Sequence, residues 1–310
     1  MRFSVFTAST PEWTPSEAAS ILAGQGWDGI EWRVTDQDAA AEPGFWAGNR
    51  ATWPLTGLEA SLPSIASITR DAGLAFSGIG GYARCDDHDS VERMLSATAA
   101  LGAERVRVTM PRTDSGEYRA LFASARADLE WVASRAAAHG VQALVELHHE
   151  TITTSASAAF RLVDGLDPAH VGVIHDLGNL VIEGQERHLS AFELLGPYLA
   201  HVHIKNARWV AAPSTGSGTE ADSGTEADSG TEADSGTLSL SKGPNPINWH
   251  HEWATLRSGQ ADVRGYVSDL VTHGYDGWIT LEDFSTELPL AERTEDNLAF
   301  LRDALDRARA

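Results

Sequence analysis

What this chain lacks narrows it first. It has one cysteine, Cys85, so no intrachain disulfide can form and nothing calls for an oxidising compartment. No apolar run approaches the ~20 residues needed to cross a bilayer. The first residues, Met-Arg-Phe-Ser-Val-Phe, enter a strand pattern at once, with no apolar stretch leading to a small-residue cleavage site. Basic residues are scarce: 23 Lys and Arg stand against 44 Asp and Glu, a formal net charge of -21. Such a surface repels phosphate backbones and anionic lipids. It argues against nucleic acid and membrane as partners, and for a small neutral substrate or a cation. A cytoplasmic protein is expected, and a homo-oligomer is compatible with all of this.

What is present is an ordinary globular composition, 42% hydrophobic over 310 residues, enough for one large core. Short apolar runs near residues 3–8, 30–33, 74–78, 105–109, 142–146, 171–176, 201–203 and 277–282 read as strands. Helical patterns separate most of them. Thr14-Pro15-Ser16-Glu17 is a helix start, with a cap residue, Pro at the first helical position and a nearby acid. Leu121, Ala125, Leu129 and Val132 step at helical spacing, as do Val263, Tyr266, Val267, Leu270 and Val271. Eight alternating units predict a single (β/α)8 TIM barrel spanning 1–310.

Two connections are oversized. Residues 35–56, after the second strand, carry Pro43, Trp46, Trp53 and Pro54, where this architecture places active-site loops. The two tryptophans either wall a ligand site or cover the barrel mouth without touching ligand. After the seventh strand, Gly-Thr-Glu-Ala-Asp-Ser repeats three times over 218–235. Small, polar and acidic, the stretch 214–237 has nothing to bury and reads as a disordered insert within the barrel.

Four strand ends carry the chemistry. Glu146, Asp176, His203 and Glu282 each close an apolar run. Three carboxylates and one imidazole suit a divalent cation, Mn²⁺ first, with Mg²⁺ or Co²⁺ as alternatives. Strand alternation places Leu144 inward with Glu146, Ile174 with Asp176, His201 and Lys205 with His203, and Thr280 with Glu282. His175 then faces outward and is structural. Earlier strands turn Glu31, Arg33 and Arg107 inward, and Glu31 is expected to pair with Arg107, since a lone buried charge is costly. Arg107 either touches substrate or only holds the interior together. His148 and Asn179 lie just beyond Glu146 and Asp176, within reach of the mouth. Lys205 and Arg208 supply positive charge near the cation.

Val145-Glu-Leu-His148, His175-Asp-Leu-Gly-Asn179, His201-Val-His-Ile-Lys-Asn206 and Gly277-Trp-Ile-Thr-Leu-Glu282 resemble the motifs of the xylose isomerase-like TIM-barrel superfamily, which includes sugar phosphate isomerases/epimerases. The resemblance covers nearly the whole chain and is weakest in the two oversized connections. It implies a sugar substrate and the metal ligands Glu146, Asp176, His203 and Glu282. It places Asn179 where ketose 3-epimerases often have a substrate-contacting His, and Arg208 near their substrate-contacting Arg. His148, Asn179, Lys205, Arg208 and Arg107 are thus the candidate substrate contacts.

The implied chemistry runs through an enediolate. A cation holding a carbonyl oxygen and a neighbouring hydroxyl makes the adjacent C–H acidic. Glu146 and Glu282 would act as general base and general acid. Returning the proton elsewhere gives an isomerase or epimerase. Expelling a leaving group gives a lyase or dehydratase on a keto-glycoside or inosose. An endonuclease IV-like nuclease is opposed by the charge, and a non-catalytic sugar- or metal-binding barrel is the fourth reading.

Overall fold

The computed structural model describes residues 1–212, 238–239 and 248–310. The expected insert at 214–237 lies outside the described residues. Eight parallel strands close into a barrel in the order β1-β11-β7-β6-β5-β4-β3-β2. They are β1 (Arg2–Phe6), β2 (Gly29–Val34), β3 (Ala75–Gly81), β4 (Arg105–Val108), β5 (Gln142–Glu146), β6 (Val171–Asp176), β7 (Leu199–Ile204) and β11 (Trp278–Leu281). Helices α1 (Pro15–Gln25), α2 (Leu58–Asp71), α3 (His88–Leu101), α4 (Tyr118–His139) and α5 (Ala156–Val163) connect the first six strands. Helices α6 (Leu177–Ile182) and α7 (His188–Leu195) lie between β6 and β7, α8 (Val263–His273) precedes β11, and α9 (Leu290–Arg309) ends the chain. Among the described residues, no helix is long and apolar enough to cross a membrane.

Local chemistry explains where elements begin. Thr14 accepts from the Glu17 backbone N–H, and the Glu17 side chain accepts from the Thr14 backbone N–H, so α1 starts on a capping box with Pro15 behind it. The helix stops at Gly26, whose φ of 92° suits glycine best. Along the strands, alternate residues such as Val5, Ile30, Val106, Val145, Val173, Val202 and Ile279 are buried among the helices. The others point inward and are largely polar, which makes the interior a site rather than a plain core.

The register sets the height of each inward group. Ser4 aligns with Thr280, Thr280 with His203, and His203 with Asp176, so one layer spans four neighbouring strands. Glycine leaves room where this interior is most crowded. A Cβ on Gly80 would lie 2.0 Å from the Phe6 ring, and Phe6 stacks on His203 with centroids 5.7 Å apart. Gly80→Ala is therefore expected to lose about 1–3 kcal/mol of stability in urea titrations, because Phe6 must leave its place.

The second oversized connection holds a feature that strand counting overlooked. β8 (Asn206–Ala212), β9 (Leu238–Ser239) and β10 (Asn248–Ala254) form a small antiparallel sheet in the order β8-β10-β9. Trp249, His251 and Trp253 alternate along β10, opposite Ala211, Trp209 and Ala207 of β8. That period of two is a strand signal, and it lies in the gap that the eight-unit count left unassigned.

Cys85 is fully buried, and burial pushes its thiol up to about 12. The native protein at pH 8 should resist iodoacetamide, with alkylation appearing only on denaturation, as mass spectrometry would record.

Candidate metal centre

Four ligand atoms from Glu146, Asp176, His203 and Glu282 lie within 4.8 Å of one another, and all four residues are buried. They come from the C-terminal ends of β5, β6 and β7 and from the residue after β11. In a (β/α)8 barrel this is the end that carries active sites. His203 Nδ1 stands 3.2 Å from Glu146, 3.9 Å from Asp176 and 3.8 Å from Glu282.

Each carboxylate is held differently. The Asp176 Oδ1 accepts from the Asn179 backbone N–H at 2.9 Å and caps α6, which leaves Oδ2 for the shared space. Glu146 meets the Arg107 guanidinium at 2.6 Å. Glu282 touches the Lys205 ammonium, which also lies 2.8 Å from Asp176 Oδ2. The Asp176 contact is an ion pair without hydrogen-bond alignment: Asp176 Oδ2 and Glu282 Oε1 are buried and accept no hydrogen bond.

The electrostatics follow. Burial pushes Glu282 up to about 8, partly offset by Lys205 and His203 and reinforced by the other two carboxylates. Asp176 is likewise raised, by burial first and by Glu146 among its neighbours. Burial acts in the same sense on Glu146, but Arg107 and His203 outweigh it and hold that carboxyl well below its ordinary range. Burial alone would lower His203; Glu31, Glu146 and Glu282 reverse this and hold the imidazole well above its usual value. Three carboxylates packed this closely draw positive charge, here an ammonium and an imidazole. A divalent cation meets the same demand with one oxygen-rich, single-nitrogen ligand set.

The partners of the inner arginine and acid differ from the expected Glu31–Arg107 pair. Arg107 goes to Glu146, donates through Nε to the Gly81 carbonyl at 3.0 Å and lies 4.2 Å over the Tyr82 ring. Glu31 is met by two imidazoles, His201 at 2.9 Å and His203 at 3.3 Å. The barrel's stagger decides this, since each side chain meets what stands across the interior at its own height. Arg107→Met should cost about 3–5 kcal/mol in a thermal or urea melt, because Glu146 would be left buried without its guanidinium.

The other candidate contacts are placed as follows. Lys205 is buried in the cage itself. The His148 ring is half-buried, donates through Nδ1 to the His149 carbonyl at 2.8 Å and stacks on the His149 ring at 4.5 Å. Asn179 is buried, donates to the Leu147 carbonyl at 3.1 Å and accepts from His149 Nδ1 at 3.1 Å, so its amide ties α6 to the loop after β5. Arg208 sits on β8, outside the barrel, 3.3 Å from Glu252 and 3.6 Å from Glu287. His175 faces the helices as expected and bonds the Tyr266 hydroxyl at 2.8 Å.

Sequence reasoning singled out Trp46 but missed Trp253 and Phe284, which complete an aromatic rim. Lys205 Nζ lies 5.3 Å from the Trp253 ring and 5.5 Å from Phe284. Trp46 packs on Phe284 at 4.7 Å, and Trp253 packs on it at 5.6 Å. Trp46 therefore joins the wall beside the cage. Trp53 instead packs edge-on against Trp32, 6.0 Å away on the helix side of β2.

Comparison with known proteins bears on this barrel. Residues 21–304 match the family model described as xylose isomerase-like TIM barrel. No curated protein matches the chain in sequence. Among solved structures, 3-keto-D-glucoside 4-epimerase from E. coli is 16% identical with a TM-score of 0.66, the match covering 98% of this chain and 99% of that one. D-allulose 3-epimerase from Methylomonas sp. is 14% identical with a TM-score of 0.66, covering 98% of each chain. A xylose isomerase-like TIM barrel protein from Mycobacterium smegmatis, in complex with magnesium, is 17% identical with a TM-score of 0.64, covering 100% of this chain and 98% of that one. At these identities the likeness is one of fold.

Proposed function

The chain belongs to the xylose isomerase-like TIM-barrel family, and from that premise we propose that it is a divalent-metal-dependent sugar isomerase or epimerase. The observation that carries this reading is the convergence of Glu146, Asp176, His203 and Glu282 on one buried space. Those four would hold the cation, with Mn²⁺ favoured by three oxygens and one nitrogen. Bound there, a divalent cation supplies Lewis-acid polarisation of a carbonyl and its neighbouring hydroxyl.

The protein's own groups do the rest. Glu146 and Glu282 stand on β5 and just past β11, with β6 and β7 between them in the barrel order. A sugar carbon between the two meets a carboxylate on each side. Glu146, kept ionised by Arg107, takes the proton as general base. Glu282, in contact with the Lys205 ammonium, returns one from the other side. Trp46, Trp253 and Phe284 present apolar faces beside the cage, which suits the C–H face of a sugar and excludes water. The 3-keto-glucoside and allulose epimerases named above are consistent with a ketose or keto-sugar as substrate. We place the protein in the cytoplasm, in keeping with its one unpaired cysteine.

One observation favours a second reading. Lys205 is a buried ammonium beside the proton-returning acid, a second proton donor of the kind that expelling a leaving group requires. The same site would then act as a lyase or dehydratase on a keto-glycoside or inosose. The test is to incubate the Mn²⁺-reconstituted protein in deuterated water with ketoses and, separately, with 3-keto-glucosides, followed by NMR. Deuterium entering the sugar without fragmentation supports the epimerase reading. Loss of an aglycone or water supports the lyase. Neither event with any sugar, at full metal occupancy, refutes both.

A further inference from the structure

We propose that Glu31, on β2, is a positioning residue that dictates which nitrogen of His203 faces the carboxylate cage; the idea rests on the metal-centre reading above. His203 presents Nδ1 to Glu146, Asp176 and Glu282, and Nε2 to both oxygens of Glu31 at 3.3 Å. An ionised carboxylate only accepts hydrogen bonds. Nε2 must therefore be the donor to Glu31. Nδ1 is then the nitrogen free to give a lone pair to a cation. A histidine ligand held by a carboxylate on its other nitrogen is also the more basic ligand.

The layer beneath holds Glu31 in turn. His201 Nε2 lies 2.9 Å from Glu31 Oε2 and 2.8 Å from the Thr280 hydroxyl, which bonds the Ser4 hydroxyl at 2.7 Å. His201 Nδ1 is buried and has no hydrogen-bond partner, so the ring's proton belongs on Nε2, where Glu31 accepts it. Glu31 thus accepts from two imidazoles, one in the cage and one below it. The Phe6 ring, stacked on His203 at 5.7 Å and 22°, fixes the plane of the imidazole. Without Glu31 nothing at Nε2 opposes the other tautomer, in which Nδ1–H donates to Glu146 at 3.2 Å and satisfies the cage with no cation.

The experiment compares Co²⁺ binding to the metal-free full-length protein by isothermal titration calorimetry in wild type, Glu31→Gln and His201→Gln. Glu31→Gln keeps the shape but removes a charged acceptor, and should weaken Co²⁺ by about 10- to 100-fold. His201→Gln disturbs the same buried layer but leaves the Glu31–His203 bond, and should change affinity by less than about threefold. Equal losses in both variants would make the effect general packing and overturn the proposal, as would undiminished affinity in Glu31→Gln. Two ions bound by wild type and one by Glu31→Gln would make Glu31 a ligand, which also overturns it. Wild type that takes up no ion sinks the metal-centre reading and this proposal together, an outcome distinct from the others. If Glu31→Gln fails to fold, ¹⁵N NMR of zinc-loaded wild type decides. A proton on His203 Nε2 upholds the assignment, and a proton on Nδ1 overturns it.

Discussion

Glu282→Gln is expected to reduce turnover by about 10²–10⁴-fold, the range typical of a lost general acid or base, while the protein stays folded. The carboxyl it removes lies among two others, and Glu282 Oε1 accepts no hydrogen bond. With its carboxyl pushed up to about 8 by burial, Glu282 is already largely protonated at neutral pH without a metal, so the glutamine changes little charge and the metal-free melting temperature should hold. Glu146→Gln should cost as much activity but should also destabilise, because Arg107 would be left buried without its carboxylate. A loss of about 3–5 kcal/mol is the usual scale for such a broken pair. Deuterium exchange into the sugar and thermal melts separate the two variants. Equal stability in both would contradict the assigned partnership of Arg107, and near-normal exchange in Glu282→Gln would contradict the proposed acid.

Lys205→Met should tighten metal binding while lowering turnover. The ammonium lies 2.8 Å from Asp176 and touches Glu282, so it occupies the space that the ligand set would give to an ion. Two unit charges 4 Å apart at an effective dielectric of 20 interact by about 4 kcal/mol. A flexible lysine can withdraw from an incoming cation and recover part of that, which leaves a gain of at least about tenfold in Co²⁺ or Mn²⁺ affinity by calorimetry. The methionine stem still fills the space against Gly178, where a Cβ would lie 2.2 Å from the Lys205 Cγ. Unchanged or weaker affinity would mean that Lys205 helps to hold the ion in place rather than competing for it. In the epimerase reading, turnover should fall because Glu282 loses its neighbouring charge. In the lyase reading, product release should fall further than deuterium exchange.

The four cage residues were legible one at a time. Each ends an apolar run, and a period of two assigns it to the interior with no knowledge of its neighbours. The closed barrel was legible for the same reason, since every unit repeats one local pattern. The small β8-β10-β9 sheet was not found, although Trp249, His251 and Trp253 alternate as a strand does. Nor could spacing tell Trp46, which lies beside Phe284, from Trp53, which lies against Trp32. Both sit in one irregular segment, and the path of an irregular backbone is set by what it packs on.

The order of polar and apolar residues along the chain determined that strands alternate with helices and which side chains enter the interior. Only the tertiary structure decided who meets whom: Arg107 with Glu146, Glu31 with His201 and His203, Lys205 between Asp176 and Glu282. Alternation is a local property of one strand's backbone and can be read from one strand. Pairing across a barrel depends on the stagger accumulated around the whole ring, and no single strand carries that information.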